Sequence, residues 1–311
     1  MKIIEGTKGI KIRRSVVTIG VFDGVHVGHV SVIRKTVARA AKMGIPSVAV
    51  TFDPHPAKVL SGRHSAPSIM SLAHRIRLIC RLGVDYVVIM KFTKGLAGIS
   101  PGRFAGEILR SGLGTREIYI GEDFSFGRGG SGTVSTLKFL GRDLGFMVRA
   151  VRPVRRYGRV VSSSFIRDLI IKGDLARASV LLARPVSILG TVVSGLGKGR
   201  ILGFPTANID PHHEAVPPYG VYAVRVNYGG KMFGGILNIG LRPAFFDPGP
   251  EREPTIEVHI FGFNKMIYGE EIEILFVRKM RDELKFRDKA SLTARIMRDA
   301  AQARKILGFT K

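Results

Sequence analysis

The stretch Thr18–His29, TIGVFDGVHVGH, constrains the chain more than any other. The apolar run ahead of it, Val16–Ile19, reads as a buried strand that breaks at Gly20. After a turn through Asp23 and Gly24 a helical pattern sets in over 30–43, with Val30, Ile33 and Val37 on one face and His29 at or near the helix start. A helix N-terminus presents unpaired backbone N–H groups and the positive end of a dipole, which suits phosphate. Gly20 and Gly24 allow a backbone to approach a ligand where a Cβ would clash. His26 and His29, one turn apart, can both donate hydrogen bonds to charge building on a phosphoryl oxygen. On spacing alone, the same turn serves equally as a tight connection with two structural histidines.

The first half continues as strand–helix alternation. Strands are expected at 16–22, 47–52, 85–90, 117–121 and 146–154, and helices at 30–43, 72–82, 101–110 and 134–142. Alternation of this kind implies βαβ units and a parallel sheet with helices on both faces, a Rossmann-like α/β architecture. Ligands then sit beyond the carboxyl ends of the strands. Three chemically rich stretches fall there: the opening turn, TFDPHP at Thr51–Pro56 and GEDFSFG at Gly121–Gly127. Each of the last two also reads as an ordinary loop. SSSFIRDL, Ser162–Leu169, follows; its serines are either plain helix caps or, with Arg167 one turn on, a phosphate clamp of hydroxyls and a guanidinium.

The texture changes near residue 185. Short strands are expected at 186–193, 219–227, 232–238, 255–263 and 271–277, and helical periodicity returns only over 290–307. Strands without intervening helices suggest a small antiparallel barrel with a terminal helix. Two domains are therefore expected, 1–185 and 186–311. In the second, GKGRILGFPTANID (Gly197–Asp210) offers Gly197, Gly199 and Gly203 for close phosphate approach, and Thr206 and Asn208 as oxygen ligands for Mg²⁺. A turn leading into a strand explains the same residues.

Charge is uneven. Residues 1–185 carry 31 Lys and Arg against 11 Asp and Glu, net +20, and residues 186–311 carry 18 against 13, net +5. A basic half can serve nucleic acid or polyanionic small substrates. Trp is absent, and nucleic acid is disfavoured as the main partner. The lone cysteine, Cys80, excludes an internal disulfide and lies in a helical pattern as a buried thiol. The N-terminus has no signal-peptide pattern and no apolar run approaches membrane-spanning length, so the cytoplasm is the expected address. Oligomeric state is not legible.

Motif order narrows the choice. GVFDGVHVGH resembles the HxGH signature of nucleotidylyltransferases in the form seen in bacterial FAD synthetases, and SSSFIR resembles the ISSTxIR motif, with Ser164 where Thr is usual. GRILGFPTAN resembles the GxxLGFPTAN motif of riboflavin kinases; YGVYAV, NIGLRP, PTIEVHIF and RDELKF follow in that family's order. Ala183 and Ala244 depart from the usual residues. The chain is thus similar, over nearly its whole length, to the bifunctional riboflavin kinase/FAD synthetases. The resemblance implies riboflavin, FMN and ATP as substrates, Mg²⁺ as cofactor, and FMN and FAD as products. It implies His26 and His29 as charge-stabilising residues and Glu257 as the kinase base. Gly20, Phe22, Asp23, Gly24, Asp123, Ser163, Ser164, Arg167 and the three kinase-loop glycines would bind nucleotide or phosphate. Phe124, Phe126, Arg281 and Phe286 would bind flavin, and Thr206 and Asn208 the metal. Two rivals stay open: transfer to another phosphate monoester, since HxGH does not name the acceptor, and a nucleic-acid-binding protein on a nucleotide-binding fold.

Overall fold

The computed structural model describes residues 1–6, 11–61, 66–195, 199, 203–213, 215–241 and 254–308. Packing divides the chain into two compact units, one of 1–68 with 72–165 and one of 69–71 with 166–311.

The first unit is a six-stranded parallel sheet in the order β1-β4-β3-β2-β5-β6. Its strands are β1 (Lys2–Glu5), β2 (Ser15–Ile19), β3 (Ser47–Asp53), β4 (Tyr86–Lys91), β5 (Thr115–Gly121) and β6 (Met147–Val151). β2 is buried at every position, Ser15 and Thr18 included, which is why Val16, Val17 and Ile19 do not alternate with solvent-facing residues. From β2 the chain runs outward to β3 and β4, then returns to pair β5 against the other side of β2. That reversal of strand order is a topological switch point, and the loops after β2 and β5 are the ones beside it. The helices are α1 (Val27–Met43), α2 (Pro56–Leu60), α3 (Leu72–Cys80), α4 (Lys94–Ala97), α5 (Pro101–Arg103), continuing as a π-helical stretch Phe104–Gly112, and α6 (Val134–Leu144). α1 buries Ile33, Thr36 and Ala40 and stops at Gly44, left-handed at φ 62°, whose N–H reaches back to the Ala40 and Ala41 carbonyls.

Several details differ from the sequence reading: the first strand ends at Ile19 rather than Phe22, and the short helices α2 and α4 were not expected. α1 begins at Val27, three residues earlier than the apolar periodicity suggests, because His26 caps it. β1 was not foreseen; Lys2 and Glu5 disguise a short edge strand paired only with β4. A small hairpin, β7 (Arg155–Arg156) with β8 (Arg159–Val160), also precedes the serine motif.

The second unit holds α7 (Ser163–Ile171, from Ile166 on), α8 (Leu175–Leu182) and a closed antiparallel barrel ordered β10-β13-β12-β11-β14-β9. Its strands are β9 (Ser187–Val193), β10 (Ala207–Asp210), β11 (Gly220–Tyr228), β12 (Lys231–Leu241), β13 (Pro254–Ile260) and β14 (Glu271–Arg281). The packing division therefore falls N-terminal to the change of texture at 185, since α7 and α8 cluster with the barrel. α9 (Lys289–Leu307) starts on the Asp288 side chain, which accepts the Ser291 N–H, and ends at the left-handed Gly308. Its Ala303 and Leu307 pack with Ala223, Ile236 and Phe261 of the barrel.

Candidate functional site

The β2–α1 turn is held in an unusual conformation. Phe22 and Val25 are left-handed, φ 54° and 38°, and both are buried. Backbones of that kind persist where their surroundings fix them. Gly24, at φ 84°, is the conventional glycine of the turn, whereas Gly20 is needed for space: a Cβ there would stand 2.8 Å from the Phe22 ring. Asp23 is buried at the turn's centre, and its backbone carbonyl accepts the Ser163 hydroxyl at 2.8 Å. One serine of the SSS motif is thereby tied to the nucleotide-type loop, while Ser162 accepts the Phe165 N–H at the start of α7. Ser164 is exposed and Arg167 buried.

His26 is the N-cap of α1. Its Nδ1 accepts from the backbone N–H of Gly28 at 3.2 Å and of His29 at 3.3 Å. An accepting Nδ1 carries no proton, so the neutral ring carries its proton on Nε2. The His29 ring stacks on it with centroids 3.6 Å apart and meets the Phe22 ring edge-on at 5.3 Å. Gly28 makes this possible: a Cβ would lie 3.0 Å from His26 Cε1. The glycine of HxGH thus clears space for a capping imidazole.

Beneath the turn lies a residue the sequence reading passed over. Arg75 of α3, 5% exposed, donates from Nη1 to the Val21 carbonyl at 2.8 Å and from Nη2 to the Phe52 carbonyl at 2.9 Å. The Thr51 hydroxyl donates to the same Val21 carbonyl at 2.9 Å. Burial pushes the Arg75 guanidinium down from its ordinary value, and the charges of Asp23 and Asp53 oppose that. The signal was available: Arg75 occupies the buried stripe of α3 with Leu78 and Ile79, where a cation is out of place. His55, in TFDPHP, caps α2 by accepting the Ala57 N–H on Nδ1 at 3.1 Å.

In the loop after β5, Phe124 and Phe126 stack at 5.6 Å, but only Phe124 is half-buried. Phe126 packs into the core against Phe104. Asp123 is exposed; a Cβ on Gly121 would stand 2.7 Å from its Oδ1. Cys80 is half-buried and burial pushes its thiol up, away from nucleophilic character.

The second unit gathers its own polar row. Asn208 of β10 pairs with Glu257 of β13, and Glu257 pairs with Asn238 of β12. Directly opposed residues in antiparallel strands share a face, so these three lie in a line on one side of the sheet. That side is the barrel's exterior, because the alternating residues Ile256, Val258, Leu237 and Ile239 are the buried ones. Thr206, two residues before Asn208, precedes the strand. A Cβ on Gly199 would stand 2.8 Å from Thr206 Oγ1, and one on Gly195 would overlap the Asn208 amide. Gly195 and Gly199 therefore lie directly against the two oxygen donors, and Gly195 joins the glycines singled out earlier. Gly203 is left-handed at φ 80° with open space around it; Gly197 lies outside the described residues. Hard oxygens from Thr206 and Asn208, completed by substrate phosphates and water, fit Mg²⁺.

Arg281 is committed within the unit. Its Nε and Nη2 donate to Asp299 Oδ2 at 2.9 and 2.7 Å, and Nη1 to the Asp282 carbonyl at 2.9 Å. Asp299, 1% exposed, also receives Arg295. Phe286 is half-buried.

With this geometry in place, residues 10–165 match the family described as FAD synthetase and residues 182–307 the family described as riboflavin kinase. The chain is 37% identical to the bifunctional riboflavin kinase/FMN adenylyltransferase of Bacillus subtilis (strain 168), over 93% of this chain and 92% of that one. It is 32% identical to the protein of the same name from Escherichia coli (strain K12), over 100% and 99%. Its backbone matches the crystal structure of a macrolide-efflux protein from Streptococcus pneumoniae with a TM-score of 0.82 at 30% identity, over 96% and 97% of the two chains. Among the described residues of the present chain, no helix is long and apolar enough to cross a membrane.

Proposed function

The chain belongs to the bifunctional riboflavin kinase/FMN adenylyltransferase family, and on that premise we propose how its residues divide the two reactions. It phosphorylates riboflavin to FMN with ATP and adenylylates FMN to FAD with a second ATP, releasing pyrophosphate. We place the functional division near residue 185, with the adenylyl transfer before it and the kinase after it, in the cytoplasm.

In the adenylyl transfer an FMN phosphate oxygen forms the new bond to the α-phosphorus of ATP while the α–β anhydride breaks. The nucleophile is already anionic at neutral pH, so the site needs donors rather than a base. The observation that carries this assignment is the capped histidine pair: His26 spends Nδ1 on the α1 backbone and so keeps an Nε2–H for the phosphoryl oxygens. His29, stacked beside it, supplies the second donor. Ser163, Ser164 and Arg167 hold phosphate, and Phe124 offers the flavin ring an aromatic face.

In the kinase reaction the nucleophile is a ribityl hydroxyl, whose proton must leave as its oxygen bonds to the γ-phosphorus and ADP departs. Glu257 takes that proton. Thr206 and Asn208 hold Mg²⁺ beside it, which when bound would screen the phosphate charge. Asn208 opposite Glu257 puts the metal ligand and the base on one face.

The test is direct. Riboflavin, ATP and Mg²⁺ with the purified chain should give FMN and then FAD on chromatography, and His29→Ala should stop at FMN. Equal loss of both products in that variant would defeat the division of roles.

A further inference from the structure

We propose that Arg75 is a positioning residue for adenylyl transfer, clamping the loop after β2 to the carboxyl end of β3 through the Val21 and Phe52 carbonyls. This rests on the assignment of adenylyl transfer to the first half.

The Arg75 guanidinium donates to two backbone carbonyls, at 2.8 and 2.9 Å, rather than to a carboxylate. A buried ion is a poor route to stability, since a packed hydrophobic residue of similar size is often as good or better. Leu78 and Ile79, which share the buried stripe of α3 with Arg75 and His74, are packed hydrophobes of that kind. What the guanidinium supplies and a hydrophobe cannot is a planar fork that holds two acceptors at fixed separation.

The two carbonyls are at informative places. Val21 lies between Gly20 and the left-handed Phe22, where the chain departs from β2 toward His26. Phe52 lies at the end of β3, one residue before Asp53, in the second motif loop. Val21 also receives Thr51 Oγ1, so one carbonyl of the strained turn carries two donors from neighbouring elements. Fixing Val21 fixes the start of a seven-residue path, 20–26, that ends on the capping imidazole. Small displacements of reacting groups, even about 1 Å, can cost on the order of 10² in rate.

The experiment uses the full-length chain and two variants, Arg75→Met and Arg75→Lys. Steady-state formation of FAD from FMN and ATP is measured beside riboflavin phosphorylation and the thermal midpoint of the same preparations. Arg75→Met should lower kcat for FAD formation by about 30-fold or more, with KM for ATP within threefold of the parent and kinase turnover within twofold. Arg75→Lys keeps the charge but loses the fork; it should recover part of the loss and stay about three- to tenfold below the parent. A role in stability alone would lower the midpoint and leave kcat unchanged while the variant is folded. Parental kcat in folded Arg75→Met therefore overturns the proposal. Should the Met variant not fold, parental kcat and KM in Arg75→Lys overturn it instead. A parent that makes FMN but no FAD overturns the underlying assignment, and this inference with it.

Discussion

The imidazole of His26 lies almost flat on that of His29, 18° from parallel with centroids 3.6 Å apart, and accepts the backbone N–H of that same residue. One ring is thus both a helix cap and a neighbour of the second histidine. The capping bond decides which nitrogen of the neutral ring carries the proton. Structure and chemistry are carried by different atoms of one side chain, and substitutions can separate them.

Asparagine at position 26 provides the separation. Its side-chain oxygen can accept from the α1 backbone as Nδ1 does, but nothing replaces the Nε2–H. His26→Asn should hold the thermal midpoint near the parent and lower FAD formation by about 10²–10³. His26→Ala, which loses the cap as well, should show the same rate loss together with a drop in stability of about 1 kcal/mol. Full FAD turnover in the Asn variant would mean that His26 only caps.

Gly28 gives the converse case. In a helix interior Ala is favoured over Gly by up to about 1 kcal/mol. At this position, however, its Cβ would press on His26 Cε1 at 3.0 Å and Nδ1 at 3.1 Å, and the ring must move by a few tenths of an ångström. Gly28→Ala should fold with parental or slightly raised stability and form FAD about tenfold more slowly. Calorimetry beside the turnover assay checks both halves; unchanged turnover would show that the ring position is not critical.

The sequence carried the turn, the alternation of the first half and the barrel of the second because these depend on local pattern. Val16, Val17 and Ile19 stand in one run because a central parallel strand is buried on both faces, and Asp288 and Gly308 bracket α9 as cap residues should. What could not be read depends on partners distant along the chain. The motif that carries Arg281 gives no sign that its guanidinium binds Asp299, eighteen residues away. Phe124 and Phe126 are alike in sequence, and only packing against Phe104 sends Phe126 into the core. β10 is legible only as one of two readings, a turn leading into a strand, because four residues after a glycine loop do not declare a strand until β9 and β13 pair with them. The start of α1 was set late because histidine is a less familiar cap than Ser, Thr, Asp or Asn.

Glu117 gives the first unit an acid limit. This buried carboxylate on β5 accepts Arg39 at 2.7 Å, Tyr119 at 2.9 Å and Arg149 at 3.1 Å. Burial pushes it up, but the three hydrogen bonds outweigh that and hold it below the ordinary carboxylate value. A group depressed in the folded state contributes stability above its unfolded value, about 4.3, and the contribution is lost as pH falls through the folded value. Unfolding of the first unit should therefore become easier below about pH 4. Glu117→Gln should lower the midpoint at pH 7 by on the order of 5–10 °C and flatten the acid limb. An acid limb identical to the parent's would show that Glu117 is not its source.

The kinase site offers a prediction in which two kinds of loss look different. Glu257→Gln preserves shape and the ability to accept from the ribityl hydroxyl, so riboflavin should bind as before. Removing a general base costs about 10²–10⁴ in rate, and the loss should sit in kcat. Thr206→Ala removes one hard oxygen from the proposed metal site, so its loss should sit in the affinity for Mg²⁺ and nucleotide and be partly rescued by raising Mg²⁺. Both residues belong to the barrel, after residue 185, on which adenylyl transfer is not expected to depend, so FAD formation from supplied FMN should be unchanged in each. The decisive measurement is riboflavin turnover of the Gln variant at saturating riboflavin and Mg-ATP. A rate within a few-fold of the parent would make Glu257 a structural neighbour of Asn208 and Asn238 and leave the proton to another acceptor.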